Sequence, residues 1–142
     1  MTVVLDSNTL IQMFGRRSRL PELHQALRSG RLRIAVSTTI LLEYEEVICR
    51  YADRARWLDV ARMLELLTAL HGNVLSVNPS FRFRIISGDE DDNAFADCAI
   101  AAEADWIVTS DHHFDVLIHS GYKPQPITPE EFIRRFLTFL PE

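Results

Sequence analysis

Eight carboxylates crowd into GDEDDNAFADCAIAAEADWIVTSDHHF, residues 88–114 of a 142-residue chain. Two further acids stand out by their setting: Asp6 closes the run VVLD, and Glu43 sits inside TTILLEYEEV. Carboxylates brought together repel one another unless a cation balances them. Oxygen donors with no accompanying cysteine, and with histidine not required, suit Mg²⁺ or Mn²⁺. One or two such ions can activate water and steady the leaving oxygen of a phosphodiester. That chemistry needs convergence, and the elements around each acid decide which of them can converge.

TVVLD is a short apolar, β-branched run that suits a buried strand. LPELHQALRSG reads as a helix with Pro21 in its first turn and Gly30 as its stop, and LRIAVS as a second strand. Two helices follow, TTILLEYEEVICRYA and RARWLDVARMLELLTALHG, then a strand-like NVLSV. FRFRII alternates and reads as an edge strand or an extended loop. DNAFADCAIAAEA is helical, DWIVTS is a strand, HHFDVLIHSG a short helix, and QPIT with PEEFIRRFL a last strand and helix. Short apolar strands alternating with helices imply a parallel sheet covered on both faces. In such sheets ligands bind outside the carboxyl ends of the strands. No repeat, low-complexity tract or linker interrupts the pattern, and one domain over 1–142 is expected.

Asp6 follows VVL and Asp111 follows WIVTS, so both fall where predicted strands end, on one rim. Alone, either would be explained as the cap of the next helix. At about 100° per residue, Ile40, Tyr44, Val47, Ile48 and Tyr51 form one stripe. Glu43 lies at its edge beside Val47, while Glu45 and Glu46 point to solvent. On the helix that starts near Asp92, Phe95, Ala96 and Ala99 form the packing stripe, and Asp92 projects in line with them. Asp89, Glu90 and Asp91 precede it, where acids favour the positive end of a helix. Most of the acidity of 88–114 is thus capping and solvation, with Asp92 and Asp111 as its candidates for chemistry.

Net charge is −5, which argues against a simple basic clamp on nucleic acid. The distribution is uneven: residues 1–84 hold 12 Arg against 8 Asp and Glu, and 85–142 hold 3 Lys and Arg against 12 acids. GRRSR (15–19) and FRFR (81–84) are local arginine clusters able to hold phosphate, although a solvated arginine surface accounts for them as well. No run reaches the length of a membrane helix, and MTVVLDSNTLIQMF lacks the features of a signal peptide. Cys49 and Cys98 have no partners at metal-ligand spacing and read as buried free thiols of a reducing cytoplasm.

VVLDSN, AVSTTILLEYEEV, DEDDNAFADCAIAAEADWIVTSDHHF and PITPEEFI, in this order and spacing, resemble a PIN domain. In type the chain resembles the PIN (VapC-like) toxins of bacterial and archaeal toxin–antitoxin systems. The resemblance runs over nearly the whole chain and places the family's acidic quartet on Asp6, Glu43, Asp92 and Asp111. It implies an α/β fold, a three-layer sandwich with a central parallel sheet flanked by helices. It also implies a Mg²⁺- or Mn²⁺-dependent endoribonuclease acting on single-stranded RNA in the cytoplasm, with a cognate antitoxin as partner. A homodimer is a further expectation of that kind of protein. Whether Asp91 or Asp97 joins the site stays open. Ser7, Asn8, Thr109 and Ser110 could support the acids through hydroxyl or amide groups; a turn role explains them equally. Other classes remain to be weighed, namely a non-catalytic module binding RNA or a partner, and a Mg²⁺-dependent phosphohydrolase or phosphoacceptor. The latter wants a second acid close to Asp6, where Ser7 and Asn8 stand. His112 and His113 are adjacent, so their side chains diverge, and they read as polar residues of a helix start rather than a zinc site.

Overall fold

The computed structural model describes residues 1–14, 19–86 and 88–138. Of the arginine stretch 15–19, only Arg19 is among them. Five strands form one parallel sheet: β1 (Thr2–Leu5), β2 (Arg33–Val36), β3 (Val74–Ser76), β4 (Trp106–Val108) and β5 (Gln125–Ile127). Their spatial order is β3-β2-β1-β4-β5. Val3, Val4 and Leu5 of β1 and Ile34, Ala35 and Val36 of β2 are wholly or nearly wholly buried, as expected for strands covered on both faces. The sheet ends are gentler. β3 buries only Val74, and β5 carries Pro126, whose missing N–H is tolerated at an edge.

The helices are α1 (Ser7–Phe14), α2 (Pro21–Arg28), α3 (Thr38–Tyr51), α4 (Arg54–His71), α5 (Glu90–Ala101) and α6 (Pro129–Phe132), the last continued by a wider turn over Ile133–Leu137. A 3-10 helix spans His112–Leu117. α5 lies across β1, β2 and β4 and also touches α3; α1 packs on α2 and α3. α3, α4 and α5 are each capped by a side chain just before them: Ser37 accepts from Ile40 N, Asp53 from Arg56 N and Asp89 from Asp92 N. Gly30 adopts φ +82°, and a Cβ there would meet the ring of His71 at 2.8 Å, so the stop after α2 admits no side chain.

The sequence reading holds for the strands and for most helices. α1 is an addition to it. FRFRII takes the loop alternative, since its backbone bonds go to side chains of α5 and to no strand. α5 begins earlier than expected, at Glu90 with Asp89 as its cap. Tyr51 departs from its predicted stripe: at 70% exposure it lies beyond the end of the core. Cys49 and Cys98 are free thiols; Cys98 is buried, which raises its pKa to about 12, and Cys49 is half-buried. Among the described residues no helix is long and apolar enough to cross a membrane.

Candidate metal centre

The order β3-β2-β1-β4-β5 means that successive connections run one way from β1 and then reverse to its other side. The crevice between β1 and β4 is therefore the switch point, where open parallel sheets leave room for a ligand. Val3, Val4 and Leu5 pair with Trp106, Ile107 and Val108. Continuing that register sets Asp6 opposite Thr109.

Asp6 is only 6% exposed. Its Oδ1 accepts the Thr9 N–H at 2.8 Å, and its Oδ2 accepts a short hydrogen bond from the Thr109 hydroxyl. Thr109 Oγ1 in turn accepts the Asp111 N–H at 2.9 Å. One threonine thus links the two strand-end aspartates. Burial raises the pKa of Asp6 above its ordinary value, the bonds from Thr109 and Thr9 oppose that, and the Asp111 charge adds a little to the rise.

The other two acids come from helices. Tyr44, buried, donates its hydroxyl to the Leu5 carbonyl, the last of β1, and so ties α3 to the strand end that delivers Asp6. The Tyr44 ring also meets Phe95 of α5, with centroids 6.0 Å apart. Glu43 precedes Tyr44 and Asp92 lies one turn before Phe95, so this ring pair holds both acid-bearing helices over the rim. Tyr44→Phe should therefore cost about 1–2 kcal/mol, because the buried Leu5 carbonyl loses its partner. Chemical denaturation checks it, and an unchanged midpoint would mean that the bond contributes nothing.

Asp6, Glu43, Asp92 and Asp111 line one cavity of about 230 Å³, together with Ser7, Asn8, Arg50, Asp89 and Asp91. All four acids singled out from the sequence thus share a cavity. Burial raises Glu43, with Asp91 as the next cause. Burial also raises Asp92, to about 6, and the nearby Asp89 and Asp111 add to it against the bond from His113. Asp91 is exposed on the cavity wall. Asp97 is not in the site: it is buried and accepts the Phe83 N–H at 2.9 Å, anchoring the loop before α5. Of the supporting candidates, Thr109 bonds two of the acids. Ser7 lines the cavity, and its buried Oγ has no hydrogen-bond partner among the described residues. Asn8 lines it from an exposed position, and Ser110 faces a different cavity.

Two residues read as capping or helix-start polarity belong here as well. His113 Nδ1 lies 3.0 Å from Asp92 Oδ2 and 3.5 Å from both Asp89 Oδ2 and Asp111 Oδ1. His112 turns away to Asp115, so the adjacent rings do diverge, and one of them diverges into the carboxylates. Ligand atoms of Asp89, Asp92 and His113 all lie within 4.8 Å of one another. The bond to Asp92 is the main cause that raises His113 above its ordinary pKa. The donor set, four carboxylates with a fifth and an imidazole beside them and a buried hydroxyl that no described residue pairs, fits a divalent cation.

A family model described as PIN domain matches residues 2–113. Among solved structures, the chain is similar to one in the crystal structure of VapBC2 from Rickettsia felis bound to a DNA fragment from their promoter. That match has 14% identity and a TM-score of 0.57, and covers 89% of this chain and 99% of the other. It is also similar to the T. brucei RRP44 PIN domain, at 14% identity and a TM-score of 0.50, covering 94% of this chain and 79% of that one. At such identity the likeness speaks for the fold alone. No curated protein sequence matches the chain.

Proposed function

This chain belongs to the PIN-domain family, and on that footing we propose that it is a divalent-metal-dependent endoribonuclease that cuts single-stranded RNA. We read residues 1–142 as one such domain, acting in the cytoplasm as the toxin of a toxin–antitoxin pair. The observation that carries the reading is the convergence of Asp6, Glu43, Asp92 and Asp111 on one cavity at the β1–β4 switch point. A protein that only bound RNA would have no use for four acids lining one cavity there. The Rickettsia felis VapBC2 complex supports the antitoxin part of the reading, and a homodimer belongs to the same expectation.

Asp6 and Asp92 would hold Mg²⁺ or Mn²⁺, with Asp89 and His113 beside them. Such an ion, when bound, neutralises charge on the phosphate and makes water acidic enough to attack it. The remaining work falls to the chain itself. Thr109 fixes the Asp6 carboxylate by its hydrogen bond. Asp111 and Glu43, on the same cavity, would bind a second ion or orient the attacking water. Arg50, on the cavity wall and paired with Glu46 at 2.8 Å, is the cation nearest an incoming phosphate.

Labelled RNA incubated with the purified protein, with Mn²⁺ or with EDTA, tests the reading. Cleavage should require the ion, and Glu45→Gln should cut as well as the native protein, because Glu45 does not line the cavity. Failure of the native protein to cut any RNA under every metal condition would leave a non-catalytic binding module as the better description.

A further inference from the structure

The loop between β3 and α5 carries Phe81, Arg82, Phe83 and Arg84. Phe81 is 72% exposed, more than any other large apolar side chain among the described residues. Phe83 turns inward, its ring 5.6 Å from Tyr122 and 6.4 Å from Phe81. The segment is pinned rather than loose. Phe83 N–H bonds Asp97 Oδ1 at 2.9 Å, and Asn93 pairs with both backbone groups of Ile86, at 2.9 and 2.6 Å. Arg84 is held at φ +50°, a conformation that a side-chain-bearing residue adopts only when its surroundings enforce it. Among the described residues neither Arg82 nor Arg84 forms an ion pair, and the Arg82 charge reaches Asp97 only at longer range.

A fixed aromatic face left in water, between two guanidinium groups that no carboxylate pairs directly, matches one kind of ligand. It must offer flat apolar faces at intervals along a chain of negative charge. In a duplex the base faces are hidden in the stack, whereas in a single strand they are free to lie on a ring. We propose that this loop is a stacking platform for single-stranded RNA: Phe81 takes the face of one base, and Arg82 and Arg84 take the flanking phosphates. The site rests on the nuclease reading for its choice of RNA.

The placement suits that role. Phe81, Arg82 and Arg84 line a groove of about 300 Å³ whose other walls are Ser37 and Thr39 at the start of α3, and Glu90, Asn93 and Asp97 on α5. The carboxylate cavity is walled by the same two helices, through Glu43 on α3 and Asp91 and Asp92 on α5. Only the first turn of α5 separates groove and cavity, so a strand stacked on Phe81 is already beside the acids. Glu90, exposed on that groove, and the buried Asp97 are the groups that oppose a phosphate there.

Fluorescence anisotropy with a labelled single-stranded RNA of mixed sequence, in EDTA so that nothing is cut, reads binding apart from cleavage. Phe81→Ala should weaken binding about tenfold, and Phe81→Trp should restore or exceed native affinity. Arg82→Gln with Arg84→Gln should lower the slope of log Kd against log salt by about 1.4, close to 0.7 for each phosphate no longer held. Phe81 is exposed enough that its loss leaves the core alone, and an unchanged melting temperature would verify this. If the native protein binds the strand and Phe81→Ala binds it equally well, the platform is wrong while the nuclease reading stands. An RNA duplex that binds as tightly as the single strand would overturn the platform in the same way. If the native protein binds no RNA in EDTA, the platform falls, and cleavage in Mn²⁺ decides the nuclease reading by itself.

Discussion

Replacing Asp6 with asparagine should reduce RNA cleavage about a thousandfold, while the melting temperature stays the same or rises. The two halves of this result have one cause. Asp6 is buried, and its raised pKa reflects the cost of keeping a charge there without a cation. Asparagine has the same shape, and its carbonyl can still accept the Thr9 N–H that Asp6 Oδ1 accepts now. What it lacks is the charge that would hold the ion and face the phosphate, and the second acceptor oxygen, so the Thr109 hydroxyl must turn to accept from the asparagine NH2. Asp92→Asn should behave alike, stabilising the metal-free protein and weakening the ion. Thermal denaturation and cleavage of labelled RNA, run on the same preparations, check both halves. Cleavage by Asp6→Asn at the native rate would refute the assignment, and a large loss of stability would mean that Asp6 is held there for folding.

Mn²⁺ at a hundredfold excess over its Kd should stabilise the native protein by about 2.7 kcal/mol, which for a chain of this length is a rise of roughly 10 °C. The gain should depend on pH, and its sign follows from two groups. In the native metal-free protein Asp92 keeps its proton up to about 6, against 3.8 when unperturbed. Between those values the folded state binds more protons than the unfolded one, so stability falls as pH rises through that window. His113 is raised above 6.5 by the carboxylates it faces. Its contribution is complete below that value and is lost as pH rises through the folded pKa. The metal-free protein should thus melt higher near about pH 5 than near about pH 8. The ion competes with these protons, so its effect should grow in the opposite direction. Differential scanning calorimetry with and without Mn²⁺ at the two pH values is the measurement. A melting temperature indifferent to Mn²⁺ at the higher pH would sink the metal reading.

The acids that could be found in the sequence are those whose position follows from local periodicity. Asp6 and Asp111 stand after apolar β-branched runs, and strand ends of a parallel sheet share a rim. Glu43 and Asp92 stand at fixed angles to helical stripes. Thr109 could only be offered as one of four supports, because its bonds to Asp6 and Asp111 depend on the β1–β4 register. His113 was hidden for a related reason: its direction is set by a 3-10 turn and by the approach of α5 from more than twenty residues away. Tyr51 misled because helical phase continues smoothly past the point where the core stops. α1 went unread because Ser7–Phe14 is short and mixed. FRFRII alternated like a strand, yet the groups that claim its backbone are Asn93 and Asp97, residues that no local pattern connects to it.

The position of β1 in the middle of the sheet bears on how the protein comes off the ribosome. Its first neighbour, β2, follows within about thirty residues, but its other neighbour, β4, begins only at Trp106. At 5–20 residues per second, roughly 5–20 s pass between synthesis of Asp6 and of Asp111. Throughout that interval one edge of β1 stays open, and Thr109, which fixes Asp6, does not yet exist. A nascent chain therefore carries half a sheet with an unpaired apolar edge, a target for holding factors. It acquires its full set of acids only when residue 111 arrives and the longest-range pairing closes. The pairing that closes the sheet beside β1 is thus the one that brings Thr109 and Asp111 to Asp6, so a chain stalled before residue 109 cannot assemble this cavity.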